Sequence, residues 1–221
     1  IKALETTAGA FSADKIIVAT GGLSYPETGC TGDGYAWAKT CGHRVVKPEA
    51  ALVPVKLNDA WTAEVSNFNL KNVRISLCVD GKKVDERFGE AFFTRAGIGG
   101  PIILDMSSRI RDELKNGEVK LLLDLKPAVA TELFDKRLQR ELAEQSNQEF
   151  GKSLGGLLPR DMVPVFLRLV GIDPKKKCHS VTKVERQRLL KLFKELELSV
   201  SSCAGFRKAI VTSGGVSLKD I

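Results

Sequence analysis

The sequence predicts an α/β segment that encloses an antiparallel β domain, which in turn encloses a run of helices. Three observations predict this nesting. First, a strand-like run, Lys15–Ala19, empties into Thr20-Gly21-Gly22 and reaches a helix start at Thr31-Gly32-Asp33-Gly34. Second, from Ala51 the runs become strand-like, and Val73, Ile75, Leu77 and Val79 alternate with polar or small residues, the period of a half-buried strand. Third, from Ala128 the spacing becomes that of amphipathic helices, and at Glu197 it returns to strand.

Taken in order, Ile1–Thr7 and Ala13–Thr20 read as strands flanking a turn at Ala8-Gly9. A helix over Gly34–Cys41 follows, closed by Gly42, with Asp33 as its N-cap. His43–Val46 is a short strand, and Pro48 marks a boundary. Leu52–Leu57, Leu70–Val79, Val84–Phe93 and Val119–Leu125 are strand-like, with a hairpin turn at Asp80-Gly81. Several antiparallel strands in succession suggest a barrel or curled sheet. Gly99-Gly100-Pro101 leads into a helix over Ile102–Arg111. Thr131 can cap a helix that carries Phe134, Leu138 and Leu142. A short helix near Leu154–Leu158 precedes another that Asp161 starts and Gly171 closes. Thr182-x-x-Glu185 is a capping box before Leu189, Leu192, Phe193 and Leu196. Glu197–Cys203 and Phe206–Thr212 return to strand.

The glycine-rich stretch is the chemically informative one. Strand, small-residue turn and helix start together let a backbone approach a phosphate-bearing cofactor. The helix start adds unpaired N–H groups and a partial positive charge. The bland alternative is an ordinary tight connection; the two glycine motifs together favour a cofactor. No G-x-G-x-x-G fingerprint precedes the stretch. The chain has no initiator Met, begins at Ile1 in strand-like sequence, and ends at Ile221 as a strand enters another glycine turn. That predicts an internal segment of a longer protein.

Composition excludes several classes. No apolar run approaches the roughly 18–20 residues of a membrane span. The five cysteines are scattered without C-x-x-C spacing, which argues against disulfides or zinc and for a reducing cytoplasm. His43 and His179 have no partner at ligand spacing, so no metal site is expected. The net charge of +7 gathers partly at Lys175-Lys176-Lys177, Lys183, Arg186 and Arg188. Aromatics do not interleave with them, so a solvated helical face is favoured over a nucleic-acid platform.

The segments ATGGLSYPETGCTGDGYAWA, EAFFTRAGIGGPIIL, LLPRDMVPVFLRLVGIDP and VTSGGVSLKDI occur in order over nearly the whole chain. Together they resemble the BaiN/RdsA-type family of FAD-dependent oxidoreductases, flavoproteins related to aminoacetone oxidase. The resemblance implies a partial FAD-binding Rossmann-type domain, an inserted β-barrel and a helical insert in the barrel. The expected boundaries are 1–49 for the FAD-binding part, 50–127 for the first part of the barrel, and 128–196 for the helices. Residues 197–212 would be the barrel's return strands, and 213–221 the return to the FAD domain.

It also implies roles. Ala19, Thr20, Gly21 and Gly22 would pass near the FAD diphosphate and ribose. Thr31, Gly32, Asp33 and Gly34 would lie near the flavin, and Gly214, Gly215 and Val216 would lead back to it. Tyr25, Thr94 and Arg95 are polar candidates on the substrate side. The family turn that usually reads GISGP has Gly99 here in place of Ser, and Arg95 stands where many members have His.

The expected function is reduction of a small organic substrate through flavin, with NAD(P)H as reductant and no catalytic acid or base assigned. The alternatives are a flavin-dependent amine oxidase passing electrons to O₂, and a basic helical module that binds nucleic acid or another anion. The segment alone is expected to carry no FAD and to be inactive. Retaining a cofactor through purification takes about 10 kcal/mol, and two loops without the G-x-G-x-x-G turn fall short of that.

Overall fold

The computed structural model describes residues 3–66 and 68–220, so the sequence-expected strand start at Ile1 and chain end at Ile221 lie outside the described residues. The chain divides into two units. Residues 1–51 and 205–221 form one, and residues 52–204 the other.

In the first unit, β1 (Ala3–Thr6) and β2 (Gly9–Ser12) pair as an antiparallel hairpin. Helix α1 spans Asp33–Thr40. Strand β3 (Val45–Ala51) pairs antiparallel with β10 (Val211–Val216), the last strand among the described residues. Four expectations change here. Residues 13–19 form no strand. The run has the apolar content of a strand buried on both faces, but among the described residues no strand lies beside it to share a ladder. Gly32, not Asp33, is the N-cap of α1; Asp33 is its first residue. Pro48 sits inside β3 rather than at a boundary. The register there shifts between Ser213 and Gly215, so a proline without an N–H falls where the ladder is already interrupted. Gly214, at φ 83°, makes that bulge, and a Cβ on it would press against the Lys47 carbonyl at 2.5 Å. Finally, residues 206–212 do not return to the barrel. They form a 3₁₀ turn, Phe206–Lys208, and the start of β10, which pairs with β3.

The second unit is a closed antiparallel barrel. Its strands are β4 (Val55–Leu57), β5 (Asn69–Val79), β6 (Lys82–Thr94), β7 (Gly97–Gly99), β8 (Val119–Asp124) and β9 (Leu196–Cys203), and they run β4-β7-β6-β5-β8-β9 around the ring. Alternate residues fill it: Ile75 and Leu77 of β5, Leu121 and Leu123 of β8, and Leu196 and Leu198 of β9 are buried. The strand expected from Leu52 begins only at Val55, because Leu52 is held at φ 51°. Helix α2 (Pro101–Glu113) lays Ile102, Ile103, Met106 and Ile110 into the same core.

Between β8 and β9 come α3 (Thr131–Glu144), α4 (Phe150–Ser153), α5 (Val163–Val170) and α6 (Lys183–Lys194). Ala130 takes the cap position expected of Thr131, and Asp161 lies in a 3₁₀ turn that precedes α5. The expected capping box at α6 is present: the Glu185 N–H donates to Thr182 Oγ1 at 3.2 Å, and the Thr182 N–H donates to the Glu185 carboxylate at 2.7 Å. Phe193 holds the helices together, with ring centroids 5.0 Å from Phe134 and 5.1 Å from Phe166. At the C-terminal end of α6, Lys194 Nζ donates to the Asp124 carboxylate at 2.6 Å and to the carbonyls of Lys126 and Val129. That clamp ties the last helix to the end of β8.

Candidate functional site

A cavity of about 770 Å³ opens in the first unit. It is built from the glycine stretch upward. Ala19, Thr20 and Gly21 line it at the turn, and Gly34 lines it in the first turn of α1. Tyr35, Trp37, Ala38 and Cys41 add one side of the helix, with His43 just beyond it. Val18 and Val216 complete the wall from the apolar run and from β10.

The small residues are required by packing. A Cβ at Gly34 would lie 2.6 Å from Thr20 Oγ1, so the turn and the helix start touch at that point. A Cβ at Gly22 would lie 2.6 Å from Thr212 Oγ1 and 3.0 Å from the Tyr35 hydroxyl. Thr212 is the pin of this loop. Its Oγ1 accepts the backbone N–H of Leu23 at 2.9 Å and of Ser24 at 3.1 Å, and it shares a hydrogen bond with Ser24 Oγ at 3.0 Å.

The structure thus brings together Ala19, Thr20, Gly21, Gly34 and Val216 around one space. Gly22, Gly32 and Gly215 pack next to it: Gly32 against Leu23, and Gly215 against the Tyr35 ring. Gly214 is the β-bulge. Thr31 and Asp33 do not line the space. They are exposed and bonded to each other, the Thr31 hydroxyl donating to Asp33 Oδ2 at 2.6 Å. Tyr25 is exposed in a left-handed turn and donates its N–H to the Phe206 carbonyl at 3.1 Å. Thr94 and Arg95 belong to the other unit, at the turn from β6 to β7. Sequence reasoning missed Tyr35, Trp37, Cys41, His43 and Thr212. The helical spacing of Tyr35, Ala38 and Cys41 was the available signal for the helix face; Thr212 had none, since its contact spans 189 residues.

An FAD group can be tested against these residues. The lining is mainly apolar and offers bare backbone at Gly21 and Gly34, and no Asp, Glu, Lys or Arg is among it. That suits a flat ring system packed on small residues, and the volume lies within the usual range of about 300–1,000 Å³ for such pockets. Among the described residues the lining holds no carboxylate for a ribose and no lysine or arginine for a diphosphate. The residues present therefore fit part of a dinucleotide.

Among the described residues no His, Cys, Asp and Glu cluster is arranged to hold a metal, and no helix is long and apolar enough to cross a membrane. All five cysteines are free thiols.

Comparison with known proteins agrees with the resemblance carried by the motifs. The chain is 29% identical over 220 residues to a ribosomal RNA dihydrouridine synthase of Haemophilus influenzae, covering 99% of this chain and 51% of that protein. It is 27% identical over 208 residues to the Escherichia coli ribosomal RNA dihydrouridine synthase, covering 94% and 49%. It is 26% identical over 212 residues to a 3-dehydro-bile acid delta(4,6)-reductase of Clostridium scindens, covering 96% and 52%. The chain therefore spans about half the length of the curated relatives it matches. Residues 49–211, well over half of the chain, match the family described as the HI0933-like protein barrel and H2TH domain, and on that match the chain belongs to the HI0933-like flavoprotein family.

Proposed function

We propose that this chain is the barrel-bearing half of a flavin-dependent reductase, with part of the FAD-binding domain at its two ends. The observation that carries the reading is the cavity of the first unit, where the turn Ala19–Gly21 and the helix start at Gly34 bare their backbone among apolar walls. Ala19, Thr20, Gly21, Gly34, Tyr35 and Val216 would hold FAD, which when bound supplies the hydride chemistry. The chain's own contribution is to position and to exclude water. Thr212 orders the Gly22–Ser24 loop, and the Trp37 face of α1 walls the space with apolar surface.

The first unit exposes apolar side chains, with Ile17 91% and Val18 51% accessible. Such a run is the kind that other strands cover in a parallel sheet. In a protein about twice this length, we read it as a strand of the cofactor domain whose neighbours come from the rest of the polypeptide. A small organic substrate and NAD(P)H as reductant complete the proposal. The test is turnover by the full-length protein: NADH or NADPH oxidation with an enone-type acceptor supports the reading, while turnover of amines with O₂ and none with nicotinamide supports an oxidase.

A second substrate reading has its own observation. Lys175, Lys177, Lys183 and Arg188 are exposed on the helical segment, although Lys176 and Arg186 are neutralised by Glu185 and Asp135. Two of the relatives above are ribosomal RNA dihydrouridine synthases. A uridine presented in RNA would then be the reduced group, with the cations on phosphates. Binding of RNA that weakens steeply with salt, and dihydrouridine formed in it, would favour this reading over a free small molecule.

A further inference from the structure

A second cavity, of about 320 Å³, lies inside the barrel unit where the helices meet the strands. Its walls are apolar: Phe68, Leu70, Val73, Leu125, Leu157 and Met162. Among the described residues the charged side chains of its lining are two lysines, Lys71 and Lys126, with no carboxylate beside them.

Lys126 is held there from behind. Its N–H donates to Asp124 Oδ1 at 2.8 Å, and its carbonyl accepts from Lys194 Nζ at 2.9 Å. Asp124, two positions before it, is committed to Lys194 at 2.6 Å. The backbone of Lys126 is thus fixed, while among the described residues no carboxylate pairs with its ammonium. Burial pushes its pKa down, and the neighbouring Arg137 adds repulsion in the same direction. A half-buried cation in the field of another cation is a costly arrangement unless something anionic shares the space.

We propose that this cavity binds a small amphipathic carboxylate, its acyl or aryl body among the leucines and its carboxylate on Lys126 and Lys71. The volume suits a ligand of several carbons, at the small end of known ligand pockets. The apolar walls select against a bare, strongly hydrated anion such as phosphate. The lysines of the lining select against a neutral chain of the same length, because a charge-assisted hydrogen bond is stronger than a neutral one.

Octanoate is a suitable probe, with 1-octanol as its uncharged counterpart, each titrated calorimetrically into the full-length protein. Octanoate should bind, and Lys126→Met should weaken it by about tenfold to a hundredfold, the range for losing a hydrogen bond to a charged group. Octanol binding should be the same in both proteins. Leu157→Trp, which fills the cavity, should abolish both. Failure of octanoate to bind the wild-type protein would overturn the proposal. So would equal octanoate affinity for wild type and Lys126→Met, with the variant's thermal melt intact; this result would mean that the lysine merely extends to solvent. Should Leu157→Trp fail to fold, the comparison of wild type with Lys126→Met decides alone.

Discussion

Thr212→Val in the full-length protein tests whether the loop after the glycine turn is part of the cofactor site. Valine keeps the shape and the strand preference of threonine and removes only the hydroxyl. Two half-buried backbone donors, Leu23 N–H and Ser24 N–H, then lose their acceptor, and Ser24 Oγ loses a partner. Each net hydrogen bond of this kind is worth about 1–1.5 kcal/mol, so the two backbone bonds represent about 2–3 kcal/mol. If binding needs the loop ordered, the binding step must restore that order, and the loss appears in the FAD Kd as roughly 30-fold to 150-fold. The assay is FAD titration by flavin fluorescence quenching, with a thermal melt of the apoprotein beside it. Thr212→Ser should recover most of the affinity. An unchanged Kd in Thr212→Val, with only the melt lowered, would show that the loop is structural and would refute the reasoning.

Other expectations follow from particular contacts. Asp33→Ala loses one exposed hydrogen bond, to Thr31, and should shift stability by less than about 1 kcal/mol in a denaturant titration; a larger loss would mean that the carboxylate caps α1 after all. Lys194→Met leaves the Asp124 carboxylate, 13% exposed, without its cation, and should cost about 3–5 kcal/mol by urea unfolding. The two Lys176 hydrogen bonds, with help from Thr182, hold Glu185 at a pKa of about 2. Its stabilisation is therefore complete above the ordinary carboxylate pKa and is lost as pH falls from about 4.5 toward 2. Glu185→Gln should flatten the acid limb of the stability profile over that window and leave its neutral limb parallel to wild type.

What could be read from the sequence was local. The α6 capping box needs only Thr182 and Glu185, three residues apart, and it formed as expected. The β5–β6 hairpin was legible because Asp80 and Gly81 both adopt positive φ, 47° and 78°, which aspartate tolerates and glycine takes freely in such a turn. The barrel strand β5 announced itself by alternation at Val73, Ile75, Leu77 and Val79. β7 did not, since Gly97-Ile98-Gly99 has too few side chains to show a period. The pairing of β10 was misread because partner choice is not written in a strand's own residues. Val211 pairs with Ala51, and only the bulge glycine and Pro48 hint at a shared irregularity. The same holds for the site. The turn and helix-start residues Thr20, Gly21 and Gly34 could be picked out by type, whereas Thr212 entered through a contact across almost the whole chain.

The central claim is that residues 13–43 and 211–216 form part of an FAD site in a longer flavoprotein. The most direct measurement is the visible absorbance spectrum of the full-length protein as purified and after adding NADH or NADPH, with the isolated 221-residue chain measured beside it. The account predicts stoichiometric flavin absorbance in the full-length protein, bleached by the nicotinamide, and none in the isolated chain. A full-length protein that is colourless and fails to take up added FAD would contradict it.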